Sequence, residues 1–182
     1  MDTTDRFYEE ESDYMDEVGP IYQGLVTEYY KSIIASKFRR ELEEQWGKQL
    51  FTIAELTIKT FKPEILEDLQ LENKLSSEYT KLIASARIFF EGEERNLSGL
   101  TPFMQSKDRD VRRRATEAKY GFFKDNEESF DRIYDELVKV RTKIAKKLGY
   151  NNYVELGYAR MSRSDYDAAM VSNFRKQVLE YI

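Results

Sequence analysis

The sequence predicts an all-α fold interrupted by one short β-hairpin, and three observations lead there. Turn formers are scarce, with 8 Gly and 3 Pro in 182 residues. Apolar residues recur at three- and four-residue steps through nearly every segment, the spacing that gathers them on one face of a helix. At one place only, residues 86–97, does the period drop to two, the period of a strand.

From the start of the chain, Asp2, Thr3 and Thr4 offer N-caps for a first helix with Phe7, Glu11, Tyr14 and Val18 on one stripe. Their short side-chain oxygens accept the amide hydrogens that a first helical turn leaves unpaired. Acids interrupt the stripe, so a partly exposed helix is expected. Gly19-Pro20 is expected to end it and open a second helix, because proline lacks the N–H a helix interior uses yet suits the first position. From Ile21 the apolar pairs return every four residues: Ile21/Tyr22, Leu25/Val26, Tyr29/Tyr30 and Ile33/Ile34. So wide a stripe predicts a well-buried helix. Phe38, Leu42 and Trp46 continue at four-residue steps to Gly47, which stands where helices end in left-handed backbone.

Leu50 to Phe61 is helical in pattern, and Pro63 opens a longer helix carrying Leu66, Leu69, Leu75, Tyr79, Leu82 and Ala86. In "ARIFFEGEERNL" (Ala86–Leu97), Ala86, Ile88 and Phe90 alternate with Arg87 and Phe89, and Glu91-Gly92 sits where a two-residue turn belongs. That reads as a β-hairpin. Ser98 caps a short helix over "SGLTPFMQ", and Asp108 caps another with Val111, Ala115, Ala118 and Phe122 as its stripe. The clearest helix follows, with Phe130, Ile133/Tyr134, Leu137, Arg141, Ile144 and Leu148, closed by Gly149. Asn151 or Asn152 caps a short helix over "NYVEL", with Gly149 and Gly157 at turn positions that need positive φ. Ser164 with Asp167 resembles a capping box for the last helix, whose stripe is Met170/Val171, Phe174, Val178 and Ile182.

In all, about seven or eight helices are expected to form one helical segment over residues 1–182. The last stripe reaches Ile182 without a cap or polar tail, so the chain is expected to be a piece of something longer. The face carrying Val171, Phe174 and Val178 is an unsatisfied interface that invites self-association.

Composition then excludes whole classes of chemistry. With 14% aromatic residues the chain has ample apolar surface for a core, and its net charge of −5 argues against nucleic acid as a partner. No apolar run approaches the ~18–20 residues a membrane span needs. "MDTTDRFYEEES" has neither the basic nor the apolar region of a signal peptide, so a cytoplasmic setting is expected. There are no cysteines and no histidines. That removes disulfides, thiolate metal sites, Ser-His and Cys-His nucleophiles and the H-E-x-x-H zinc motif. Glycine-rich phosphate loops are missing as well.

Three constellations remain to weigh. Glu9, Glu10, Glu11, Asp13, Asp16 and Glu17 form an acidic cluster, but a hard cation wants oxygens converging from a loop, and helical spacing points these several ways. The basic stretches "RDVRRRATEAK" and "KVRTKIAKK" lack the stacking aromatics of a nucleic-acid surface and read as ion-paired helix faces. Tyr150, Tyr153, Tyr158 and Tyr166, around a doubled Leu-Gly-Tyr, can offer hydroxyls to a substrate or merely pack a helix–turn–helix corner. No residue of the chain is assigned a catalytic, cofactor-binding or metal role.

The wording of the chain adds to its periodicity. "IAKKLGYNNYVELGYARMSRSDYDAAMVSNFRKQV" (Ile144–Val178) closely resembles the oligoendopeptidase F family of thimet-oligopeptidase-like zinc metallopeptidases. So do "EDLQLENKLSSEYTKLIASARIFFEGEERNLSGLTPFMQSKDRDVR" (Glu67–Arg112) and "FDRIYDELVKVRTKIAKKLGY" (Phe130–Tyr150). The resemblance implies a helical peptidase that encloses a deep channel and cuts short peptides. It also implies zinc held by H-E-x-x-H plus a later glutamate, all beyond the stretch matched here. On that reading this chain is the N-terminal or middle helical segment without the catalytic part, inactive alone, with no zinc of its own. Its partners are short peptides and the catalytic region of the same protein. Ala86–Phe90, as an edge strand, is the candidate for main-chain contact with substrate. The alternative is a free-standing helical scaffold or interaction module.

Overall fold

The structure is a computed structural model that describes residues 5–182. Among these residues there are nine α-helices and a two-stranded antiparallel sheet, so the all-α fold with one hairpin is what the chain adopts. The helices are α1 (Arg6–Ile34), α2 (Arg39–Trp46), α3 (Gln49–Lys59), α4 (Leu66–Ala84), α5 (Thr101–Met104), α6 (Arg109–Asp125), α7 (Glu127–Lys147), α8 (Tyr153–Arg160) and α9 (Ala168–Tyr181). Strands β1 (Ile88–Phe90) and β2 (Glu93–Arg95) lie between α4 and α5.

Two expectations about the first helix give way. Gly19-Pro20 does not end it: α1 runs on through Pro20, which is buried inside the helix. Proline removes the amide that would bond to the carbonyl four residues earlier, that of Asp16, and its ring crowds the same turn. A side chain of α4 supplies the missing donor, and a second one adds a bond next to it. Asn73 Nδ2 donates to the Asp16 carbonyl at 3.1 Å, and Gln70 Nε2 donates to the Glu17 carbonyl at 2.8 Å. The stripe from Ile21 is also not buried, since Ile21, Tyr22, Leu25, Val26 and Tyr29 are all exposed, Leu25 by 63%. Periodicity reports that a helix has an apolar face; it cannot report whether that face is covered. The proposed caps Asp2, Thr3 and Thr4 lie outside the described residues. Asp5 Oδ1 accepts the Phe7 amide at 2.9 Å.

Other local signals hold. Asp108 caps α6 by accepting from the Asp110 and Val111 amides, and Asn152 caps α8 by accepting from Val154. Gly47 takes positive φ after α2. The hairpin turns at Glu91 (φ 51°) and Gly92 (φ 82°), both left-handed as a type I′ turn demands. Its register pairs Ile88 with Arg95, Phe89 with Glu94 and Phe90 with Glu93, so the strands are shorter than the span 86–97.

The chain divides into two compact units, Met1–Glu17 with Gln70–Val140 and Val18–Leu69 with Arg141–Ile182. The first unit holds a core of Phe90, Leu100 and Ala115, against which Ile88, Phe103, Met104 and Ala118 pack. A second group there is aromatic: Phe130 lies edge-on to Tyr79 (centroids 5.9 Å apart) and tilted against Phe123 at 5.2 Å. The second unit buries Phe51, Ala54, Phe61, Ile65, Ile144, Ala145, Leu148 and Leu156. Asp68 is buried in that unit too, held by Lys143 at 2.7 Å and Lys147 at 2.6 Å. Burial pushes its carboxyl up, but the hydrogen bonds and charges of both ammonium groups outweigh this and hold it below the ordinary carboxylate range.

Candidate functional site

The tyrosine-rich corner belongs wholly to the second unit, and its backbone is fixed by three successive caps. At the end of α7 the Tyr150 amide bonds to the Ala145 carbonyl and the Gly149 amide to Lys146, with Gly149 at φ 92°. This is the Schellman pattern that glycine favours. The same pattern ends α8: Arg163 N–H bonds to Tyr158 and Ser162 N–H to Ala159, but here the left-handed residue is Ser162, at φ 53°. Gly157, expected at a turn, is instead buried within α8; added carbon there would meet the Tyr153 ring at 3.5 Å. The cap of α9 is Asp167 itself, whose Oδ1 accepts the Met170 amide at 2.9 Å. Ser164, expected to start that helix, hydrogen-bonds Asp165 next to it instead.

These turns border an open cavity of about 490 Å³. Three of the four singled-out tyrosines, Tyr150, Tyr158 and Tyr166, line it together with Arg163, Glu155 and, from α3, Lys59. Tyr150 Oη donates to the Lys59 carbonyl at 3.4 Å. Burial, aided by the nearby Glu155 charge, holds its phenol above the usual range, so it stays a neutral donor. Tyr153, the fourth, does not line the cavity. Its ring lies 5.7 Å from the Arg141 guanidinium and 5.8 Å from that of Arg160. Arg163 sits 4.8 Å from the Tyr158 ring centre and 5.5 Å from that of Tyr166. Sequence reasoning missed Arg163 and Lys59. An arginine between two tyrosines is a readable cation–π signal; Lys59, some ninety residues upstream, carries none.

Four of the six acids of the cluster form ion pairs. Glu9 and Asp13 both contact Lys81, at 3.0 and 3.3 Å, Glu10 contacts Arg6, and Glu17 contacts Lys74. The hydrogen bond to Glu9, with further help from Asp13, raises Lys81 above the usual lysine range. Asp16 accepts from the Ser77 hydroxyl at 2.6 Å. The basic stretches are paired likewise: Arg113 with Asp110 and Glu117, Arg114 with Glu91, and Lys139 with Asp135.

With this geometry in place, the similarities become informative. Residues 1–61 match the family model of the Peptidase M3 N-terminal domain. Three solved structures match all of this chain. PZ peptidase A with an inhibitor is 62% identical at a TM-score of 0.95, with 32% of that chain covered. A Bacillus anthracis protein described as an oligoendopeptidase F is 63% identical at 0.95, with 34% covered. A further structure so described is 59% identical at 0.96, with 32% covered.

Over its whole length the chain is similar to part of proteins described as oligoendopeptidase F.

It spans about a third of the length of those three chains. No curated protein matches the sequence. The stretches quoted above for their resemblance are thus parts of one continuous similarity. The zinc that the similarity to oligoendopeptidase F implies does not fit this chain. It has no imidazole and no thiolate, the usual ligands, and the described residues contain no group of three or more potential ligands. Among the described residues no helix is long and apolar enough to cross a membrane.

Proposed function

We propose that this chain is a non-catalytic helical portion of a zinc-dependent oligoendopeptidase, and that it forms part of the wall of a channel admitting short peptides. The observation that carries the reading is its similarity over 100% of its own length to peptidase chains of which it makes up only 32–34%. A peptidase zinc activates water and polarises the scissile carbonyl. This chain supplies none of the side chains that commonly hold it, so its contribution is shape, binding surface and support.

Two features support a wall. The apolar stripe of α1 and that of α9, with Phe174 exposed by 65%, are faces that further polypeptide of the same protein would cover. The hairpin offers free strand edges. In a two-residue hairpin the pair beside the turn is the hydrogen-bonded one and pairs then alternate. Phe89, second from the turn, therefore directs its N–H and C=O to the open edge of β1, where an extended peptide can add as a strand.

The experiment is hydrolysis of a quenched fluorescent peptide by the 182-residue chain and by the polypeptide encoded by its whole gene. Chelator-sensitive cleavage by the longer protein and none by the 182 residues is the expected result. Cleavage by the 182 residues, or a gene that ends with them, would reject the reading in favour of a free-standing scaffold.

A further inference from the structure

We propose that the corner cavity is a binding subsite for the C-terminal end of a short peptide, with Arg163 receiving the terminal carboxylate. The choice of a peptide as ligand rests on the peptidase reading; the carboxylate specificity rests on the cavity itself.

The Arg163 guanidinium packs on one side against two rings that touch each other edge-on, 4.8 Å from the Tyr158 centre and 5.5 Å from that of Tyr166, the two centres being 6.2 Å apart. Ring contact on one side leaves the N–H groups turned away from the rings able to bond, and a pair of them matches a carboxylate in width and direction. Among the described residues no carboxylate pairs with Arg163, unlike most arginines of the chain. Lys59 adds a second cation to the lining without an ion pair among the described residues. Of the two acids there, Asp167 is committed to the Met170 amide, which leaves Glu155 to face a peptide N–H. Leu56, Val154 and the tyrosine rings supply apolar wall for a last side chain. A volume of about 490 Å³ lies in the range of small-ligand sites.

The position of Arg163 is fixed by covalent neighbours as well as by rings. Its amide closes the cap of α8, one residue after the left-handed Ser162. The side chain is therefore presented from a rigid corner, which lowers the ordering cost on binding. A phosphate would also find two cations, but Glu155 and the apolar wall oppose a doubly charged, fully hydrated anion.

The test is titration of the 182-residue chain with Ala-Ala-Phe bearing a free carboxylate and with its C-terminal amide, read by ligand-observed NMR. The expected result is at least tenfold tighter binding of the acid, with the difference abolished in Arg163→Gln and inorganic phosphate unable to compete at matched ionic strength. Equal binding of acid and amide by the wild-type chain overturns the proposal whatever the variant does. Displacement of the peptide by phosphate overturns it in favour of a general anion site. Neither result bears on whether the longer protein cleaves peptides, so the subsite and the peptidase reading fail separately.

Discussion

The side-chain amide of Asn73, on α4, donates to the main-chain carbonyl of Asp16, on α1, at 3.1 Å. That carbonyl is the acceptor that Pro20 leaves without its helical donor. The contact explains how a 29-residue helix passes through a proline: an interior proline ordinarily costs about 3 kcal/mol or more, partly through the lost hydrogen bond. We expect Asn73→Ala to destabilise the protein by about 1–2 kcal/mol. In a Pro20→Ala background the residue-20 amide takes the Asp16 carbonyl itself, and the effect of Asn73→Ala should shrink. A double-mutant cycle from urea unfolding that gives no coupling between the two positions would show that Asn73 acts by packing alone.

The same contact shows where the sequence stopped being legible. Caps and turns were readable because each is decided within a few residues: Asp108 and Asn152 are N-caps, and Glu91-Gly92 is a turn. Pro20 failed because its compensation comes from Asn73, more than fifty residues later. The stripe from Ile21 to Tyr29 failed for a related reason, since an apolar face has the same pattern whether covered or bare. In the corner cavity, the tyrosines were visible as a cluster, but Lys59 enters from α3 and only the fold brings it there.

Gly24 records a close approach. A Cβ at this position would stand 3.2 Å from the Phe61 ring, and Phe61 is itself buried. Glycine to alanine inside a helix normally gains about 1 kcal/mol, whereas forcing a methyl group into a packed site costs about 1–3 kcal/mol. Gly24→Ala should therefore destabilise by about 1 kcal/mol, and Phe61→Leu in the same chain should relieve part of it. A thermal midpoint that rises in the Gly24→Ala single variant would contradict this packing.

Asp68 gives the stability a pH dependence of known sign. Its carboxyl is lowered in the folded chain, so its contribution is complete above the unfolded-state value near 3.8 and disappears as pH falls through the lower folded value. Lys143, raised by the hydrogen bond to Asp68, contributes below the ordinary lysine value of 10.5 and loses that contribution as pH rises beyond it. At pH 7 we expect Asp68→Asn to cost about 2 kcal/mol. The gap from wild type should stay level down to about pH 4 and narrow below it. Urea midpoints that differ equally at pH 7 and pH 2.5 would show that the ionised carboxylate is not what the lysines hold.

Ser162 occupies the left-handed position that ends α8, at φ 53°, where the cap of α7 uses Gly149. For a residue with a Cβ that conformation costs roughly 1 kcal/mol. Ser162→Gly should keep both capping bonds and raise stability, by about 0.5 kcal/mol once the greater freedom of glycine in the unfolded chain is deducted. A loss of more than about 1 kcal/mol would mean the seryl side chain holds the corner by a contact of its own.

Phe89 separates main-chain from side-chain recognition on the hairpin. The residue is 77% exposed and its N–H lies outside the ladder that joins β1 to β2. Proline there removes an outward donor while leaving the pairs Ile88–Arg95 and Phe90–Glu93 to hold the sheet, a placement that edge strands tolerate. On the proposed peptidase reading, Phe89→Pro in the longer protein should raise KM for short peptides severalfold with kcat little changed, because the lost bond is made equally in the bound substrate and the transition state. Phe89→Ala keeps the main-chain donor and should leave KM near wild type. If the alanine variant shows the larger effect, the ring and not the strand edge is what the peptide meets; if neither changes KM, the hairpin lies away from the substrate path.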